Sequence, residues 1–448
     1  MTDRIKLALL TLSTGAFMVL FIHFTTKYFG ATEGEASRFA SVGTPQIVNL
    51  DKSTGEQKVI MNDPSVQKNW GLMGTQGQSD IKVSNAWGIS QGDRNIVVAI
   101  IDTGIDIYHP DLKENIWTNH GESGLDEGGK DKATNGIDDD HNGYIDDVHG
   151  WDFVNEKPLV VDNHGHGTHI AGIVGAVGGN GIGISGVCPK VSLMPLKYFD
   201  PTSKGNDNLR NTVRAIRYAS LMGAQIINYS GGGTEPNDDE FEAIRFAQGK
   251  GVLFVAAAGN EHSNSDVAHY YPADYTLSNI ISVTAIDSFA KVLRTSNYGT
   301  KTVHIAAPGE GIYSTLPNSN YGLMTGTSQA TAFVTGVAAL IFAHNKEFTF
   351  EQVRTQIIKT ADEIPGLRDK TSSGGKLNSY AALAIQPTIP ATGITTALSS
   401  AVSPGILGRD SRTEKVDPTT SLNNIMKAIN RPLAGPQVMN KRSAAQAL

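Results

Sequence analysis

The sequence predicts an α/β fold, a doubly wound, mostly parallel sheet flanked by helices. Two observations carry this. Along residues 63–386, strand-length apolar runs alternate with helical stretches, the pattern of repeated β-α units rather than of hairpins or helix bundles. Polar residues with reactive or hydrogen-bonding groups stand directly after several of those runs, where open α/β sheets collect functional groups outside the carboxyl ends of their strands.

In chain order the runs are Ile96–Ile101, Ile170–Val177, Val191–Leu196, Leu209–Met222, Gln225–Tyr229, Phe241–Gln248, Val252–Ala257, Ile280–Ala285 and Gln329–His344. They lie within one large unit, 63–386, long enough for a single large core. Before it, Leu7–Phe24 is an 18-residue, mostly apolar run preceded by Arg4 and Lys6. Residues 1–30 are therefore expected to direct export, as a signal peptide or as a retained membrane anchor through residues 7–24. Residues 31–62 are polar without sustained periodicity and read as a linker or short pro-segment. Residues 387–448 turn to Pro, Thr, Ser and Ala and read as a flexible tail, with a short helix possible near Leu422–Ile429.

Composition narrows the function classes. The net charge of −7 argues against a nucleic-acid partner, which needs surplus Lys and Arg to neutralise phosphates. The tail holds seven basic and three acidic side chains, a net +4, so the rest of the chain is −11. Much of that acid sits between Asp106 and Asp152. The single cysteine, Cys188, rules out an intrachain disulfide and reads as a buried packing residue. A monomer is expected, stabilised by packing or bound ions rather than cross-links.

Five segments carry chemistry. Asn95–Ile101 runs into Asp102-Thr103-Gly104, setting a carboxylate at a strand tip. Gly251–Ala258 runs into Gly259-Asn260, setting a side-chain amide donor at another. Gln225–Tyr229 runs into Ser230-Gly231-Gly232-Gly233, a backbone flat enough for a peptide to lie against. Asn163-His164-Gly165-His166-Gly167-Thr168-His169 leads directly into an apolar helical run, and so does Gly326-Thr327-Ser328-Gln329-Ala330. Ser328 is thus placed at the positive end of a helix dipole, where its N–H can donate to an oxyanion and a nearby imidazole can take the hydroxyl proton. His164, His166 and His169 lack the intervening Glu of a zinc protease motif and are not read as zinc ligands.

The acidic stretch contains Asp138-x-Asp140-x-Asn142-Gly143-Tyr144-Ile145-Asp146-Asp147. Alternating oxygen ligands followed by Gly at the sixth place are the first half of a calcium loop. His149 stands at the twelfth place, where a bidentate Glu is expected, so Asp146 or Asp147 is expected to supply the missing oxygen.

Together, Asp102-Thr103-Gly104, His166-Gly167-Thr168-His169-Ile170-Ala171-Gly172 and Gly326-Thr327-Ser328-Gln329-Ala330, in that order, resemble the motifs of the subtilisin-like serine peptidases, closest to their thermitase-like bacterial members. The resemblance spans about Asp63–Ile385. It implies a serine endopeptidase acting on protein or peptide substrates. In that reading Ser328 attacks the scissile carbonyl, His166 accepts and returns the proton, Asp102 orients the imidazole, and Asn260 with the Ser328 N–H binds the oxyanion.

The resemblance further implies that Ser230, Gly231 and Gly232 form one wall of the specificity pocket and Ala257 and Gly259 the other. Tyr270 stands at its floor or turns outward, and Glu261 lies near its rim. Gln329 replaces the Met of most relatives, which implies tolerance of peroxide. A second calcium site, at Asp63, Asp111 and Asn180, is implied by the resemblance alone. Two other readings are a non-catalytic binding protein on this scaffold and a membrane-tethered enzyme with one physiological substrate.

Overall fold

The computed structural model describes residues 46–50, 57–75, 78–201 and 207–385. The run Leu7–Phe24, most of the segment 31–62 and the tail 387–448, with its Leu422–Ile429 stretch, lie outside the described residues.

The strands are β1 (Gln46–Leu50), β2 (Gln57–Ile60), β3 (Gly92–Asp102), β4 (Trp151–Asp152), β5 (Lys190–Lys197), β6 (Ile226–Tyr229), β7 (Leu253–Ala257), β8 (Ile280–Ile286), β9 (Ile305–Pro308), β10 (Ile312–Leu316), β11 (Asn320–Met324), β12 (Asp362–Glu363) and β13 (Gly375–Lys376). The helices are α1 (Val83–Ala86), α2 (His166–Gly175), α3 (Asn208–Leu221), α4 (Asp238–Gly249), α5 (Thr327–His344), α6 (Phe350–Lys359) and α7 (Ser379–Ala384).

Nine strands form one sheet in the order β12-β13-β9-β8-β7-β6-β3-β5-β4. Every pairing in it is parallel except β12 with β13, which confirms the doubly wound α/β expectation. A sheet covered on both faces needs strands that are apolar on both sides. β3 meets this need: Val98 and Ile100 enter the core shared with α2 and α5, while Ala99 and Ile101 enter the core shared with α3 and α4.

Local chemistry sets the helix boundaries. Asn237 caps α4 by accepting the Glu240 N–H, and Asp238, Asp239 and Glu240 crowd its first turn, complementing the dipole. Thr349 and Gln352 close a capping box on α6. α5 is buried from Thr327 through Phe342, so it is apolar all round and runs through the core rather than over it.

Two features depart from the sequence reading. β1 and β2 pair as an antiparallel hairpin inside the stretch read as linker, and Val59 and Met61 join the core. β10 and β11 form a hairpin turned by Asn318 and Ser319 at φ of 62° and 60°. It was missed because its second strand, half polar and interrupted by Gly322, shows no apolar run.

Phe333 of α5 is fully buried and fills the space a side chain at Gly71 would need. Phe333→Ala is expected to cost about 3–5 kcal/mol, measured as a lower midpoint of chemical unfolding with an unchanged slope.

Candidate active site

Asp102 is the last residue of β3 and is 3% exposed. Its Oδ1 accepts the Thr103 N–H at 2.8 Å and the His166 Nδ1–H at 2.7 Å. With Nδ1 committed to the carboxylate, the imidazole leaves Nε2 as its free basic atom.

A second carboxylate builds the frame around this pair. Asp162 Oδ1 accepts from Thr103 Oγ1 at 2.8 Å, His164 N at 3.0 Å and Gly165 N at 2.7 Å. Its Oδ2 accepts from Thr168 N at 2.9 Å and Thr168 Oγ1 at 2.6 Å. Thr103 Oγ1 in turn accepts the Gly167 N–H at 3.0 Å. The start of α2 is thereby fastened to the tip of β3. The approach is so close that a Cβ on Gly167 would lie 2.1 Å from the Gly104 carbonyl oxygen; only glycine fits there.

Burial disfavours the charged imidazole of His166, but the Asp102 charge and hydrogen bond outweigh it, with Asp162 adding, and the net shift is upward. The other two histidines have separate positions. His164 is exposed, with its ring 6.4 Å from that of His166. His169 is buried, its Nε2 bonds the carbonyls of Ile312 and Gly322 across the β10–β11 hairpin, and burial pushes its pKa down to about 4. The three rings do not converge on a point.

Ser328 is the second residue of α5 and 8% exposed. Asn260 follows β7 after Gly259, whose φ is 100°. Its Oδ1 accepts from the Thr327 N–H at 3.1 Å and from Thr327 Oγ1 at 3.2 Å. This ties the amide to the residue before Ser328 and leaves Nδ2 as the free donor. β3 and β7 run parallel in one sheet, so Asp102 with His166 and Asn260 with Ser328 all gather at the same carboxyl edge.

Gly233 exchanges backbone hydrogen bonds with Tyr271 at 2.8 and 2.7 Å. The Tyr270 ring lies between the two strands: a Cβ on Gly232 would meet its Cε1 at 2.5 Å, and one on Gly259 its Cγ at 2.9 Å. Ser230 sits beside Asn228, and Ala257 ends β7. Glu261 bonds Asn297 from both its N–H and its carboxylate. Gln329 is buried behind Ser328.

In the acidic loop, Asp138 accepts the Asn142 and Gly143 N–H groups at 3.0 and 2.8 Å, and Asp140 the Asn142 N–H at 3.1 Å. Asn142 Oδ1 accepts the Tyr144 N–H, while the Tyr144 ring packs on Trp151, Phe153 and Tyr218. Asp146, at φ 57°, accepts the Gly136 N–H. Asp147 is buried against Asn119, Asn142 and Tyr218. His149 turns away to the Trp117 carbonyl.

The carboxylate that joins Asp138 and Asp140 is Glu122: one ligand oxygen from each lies within 4.8 Å of the others. Glu122 is fully buried, its Oε2 has no hydrogen-bond partner, and burial raises its pKa. Nothing in the spacing of the loop points sixteen residues upstream, and that is why sequence reasoning missed it.

Asp63, Asp111 and Asn180 also meet. Asp63 accepts from Gly179 N at 2.9 Å, from Gly181 N at 3.0 Å and from Ser185 Oγ. Asp111 accepts from Asn180 Nδ2 at 2.9 Å and Ile184 N at 2.8 Å. Burial, with the Asp63 charge adding, lifts the Asp111 pKa to about 6.

A parallel α/β sheet carrying an ordered Asp, His, Ser set at its carboxyl edge defines a serine hydrolase of one family. Residues 93–393 match the subtilase family, and the chain belongs to it. Over 307 residues it is 35% identical to thermitase of Thermoactinomyces vulgaris, an alignment covering 68% of this chain and 95% of thermitase. Subtilisin-like protease 2 of Plasmodium falciparum is 31% identical over 345 residues, 75% of this chain but only 24% of that protein. Among solved structures, a protease from Pseudoalteromonas arctica superposes with a TM-score of 0.57 at 25% identity, covering 72% of this chain and 98% of the other.

The raised His166 pKa has a direct kinetic consequence. The base must be neutral, so kcat/KM is expected to rise with pH through a midpoint above about 6.5. Asp102→Asn is expected to lower kcat by about 10⁴-fold, the magnitude that loss of the orienting carboxylate costs a Ser-His-Asp triad. An acid limb at or below the free imidazole value would contradict the assignment.

Proposed function

We propose that this chain is an exported serine endopeptidase that hydrolyses peptide bonds through an acyl-enzyme on Ser328. The observation that carries the reading is the 2.7 Å bond from His166 to a buried Asp102, which leaves Nε2 as the base. A substrate strand lies antiparallel on Ser230-Gly231-Gly232, the mode by which a free strand edge captures extended peptides. Tyr270 then fills the floor between that edge and Ala257–Gly259, which favours a small residue in the pocket.

His166 Nε2 takes the proton of Ser328 Oγ as the oxygen attacks the scissile carbonyl. Asp102 holds the imidazolium that forms. The Ser328 N–H and Asn260 Nδ2 donate to the oxyanion, and Asn260 is poised for this by the bonds its Oδ1 makes to Thr327. His166 then returns the proton to the leaving amine, and water repeats the sequence on the acyl ester.

Calcium is the ion this reading places at Asp138, Asp140 and Glu122. Hard oxygen donors and an unpartnered buried carboxylate oxygen fit a divalent cation, whose two positive charges offset most of the charge of three carboxylates. Asn142, Tyr144 through its carbonyl, Asp146 and Asp147 support the loop, and Asp63, Asp111 and Asn180 form the second candidate. Export rests on the apolar run Leu7–Phe24. Among the described residues no helix is long and apolar enough to cross a membrane, and the proposed tether lies outside them.

A fluorophosphonate probe is expected to label wild type and not Ser328→Ala, which separates a peptidase from a binding protein on the same scaffold. Asn260→Ala is expected to lower kcat about 10²–10³-fold with little change in KM; an unchanged kcat would refute the oxyanion role. Complete calcium chelation is expected to lower the melting temperature, since an ion at a hundred times its Kd contributes about 2.7 kcal/mol. Glu122→Gln should shrink that shift, and an identical melt with and without chelator would remove the ion from the account.

A further inference from the structure

Behind the Gly231–Gly233 edge lies a cavity of about 430 Å³. Tyr198, Tyr229, Tyr270 and Tyr271 line it together with polar groups of Asn208, Thr212 and Asn237, and the Tyr198 and Tyr229 ring centroids are 5.4 Å apart. Gly231 is obligatory to this shape, because a Cβ there would lie 2.2 Å from the Tyr198 hydroxyl oxygen and 2.8 Å from that of Tyr229. Among these phenols stands Glu240, 5% exposed. It accepts from the Tyr275 hydroxyl at 3.2 Å, and among the described residues lining the cavity none is Lys, Arg or His.

A carboxylate buried without a cation is costly to keep charged. Burial accordingly lifts the Glu240 pKa to about 7. The remedy for such a site is an incoming cation, and aromatic faces around the carboxylate add to the attraction for one. The second acid lining the cavity, Glu235, gives the mouth the same sign.

We propose that this cavity is a cation-selective subsite that takes a Lys or Arg side chain of a peptide laid along Ser230-Gly231-Gly232, with Glu240 as its anchor and the tyrosines as its walls. The inference rests on the peptidase reading above and deepens it. Specificity then lies less in the pocket next to the cleaved bond, which Tyr270 fills, than in a basic residue elsewhere on the bound strand.

The test uses the full chain and a set of fluorogenic peptides in which Lys, Arg or norleucine is placed in turn at each position around one cleaved bond. Norleucine keeps the Lys stem and removes its charge. At one position other than the cleaved residue, Lys or Arg is expected to raise kcat/KM over norleucine by about tenfold or more, through KM, as for one charge-assisted hydrogen bond. In Glu240→Gln that ratio should fall to about one, and in Glu240→Leu below one, both variants being checked by thermal melt. A wild-type preference absent at every position, or present and unmoved in a folded Glu240→Gln, overturns the proposal. Fluorophosphonate labelling of Ser328 run alongside separates the two failures. A labelled enzyme that cleaves all peptides alike loses only the subsite, whereas an unlabelled enzyme that cleaves none loses the peptidase reading as well.

Discussion

The closeness of α2 to the tip of β3 is the constraint on which the site depends. Asp102 can hold His166 at 2.7 Å only because Gly167 carries no side chain against Gly104 and because Asp162 gathers Thr103, the His164 and Gly165 amides and Thr168 into one buried network. Such a network is worth having only when every lone pair is used, since a buried carboxylate left short of donors is strongly destabilising. Asp162 accepts five hydrogen bonds and so converts a charge that would oppose folding into a clamp. The Asp102–His166 pair stands at the edge of that clamp, with Asp102 buried and His166 part-exposed.

The same logic recurs away from the site with a different outcome. Asp63 and Asp111 bury their charge against the amides of the loop at 179–184 and the Ser185 hydroxyl, Asp63 holding it to the segment that precedes β3 and Asp111 to the segment that follows it. Glu122 and Glu240 have fewer donors. Burial pushes all four carboxyls toward protonation, but Glu122 leaves Oε2 without a partner and Glu240 accepts from the Tyr275 hydroxyl. Unfinished polar groups of this kind point to something that arrives from outside. At Glu122 the surroundings are further carboxylates, which suit a metal ion; at Glu240 they are tyrosines, which suit an organic cation. The one cysteine of the chain is buried and unpaired, so packing carries the stabilisation that cross-links provide elsewhere.

The order of strands and helices was legible in the sequence because a parallel sheet buried on both faces demands continuous apolar runs, and those runs are local. Asp102 and Asn260 stand out in the sequence because each follows the end of a strand-length apolar run, and His166 and Ser328 because each opens a helical one. The β10–β11 hairpin was not legible, because β10 is short and carries Ser314 and Thr315 while β11 is half-exposed and interrupted by Gly322, so neither shows an apolar run. Neither was the hairpin at β1 and β2, whose polarity reads as linker although Val59 and Met61 reach the core.

By itself, then, the sequence determined the layered α/β architecture and which reactive groups stand at its strand ends, for these are properties of neighbours along the chain. Tertiary structure alone decided which carboxylates share a site. Glu122 meets Asp138 and Asp140, Asp162 frames the histidine, and Glu240 looks into a tyrosine-lined cavity formed by four separate segments. The reason is physical: the energy of a buried charge depends on what surrounds it in space, and those surroundings come from residues that spacing along the chain does not relate.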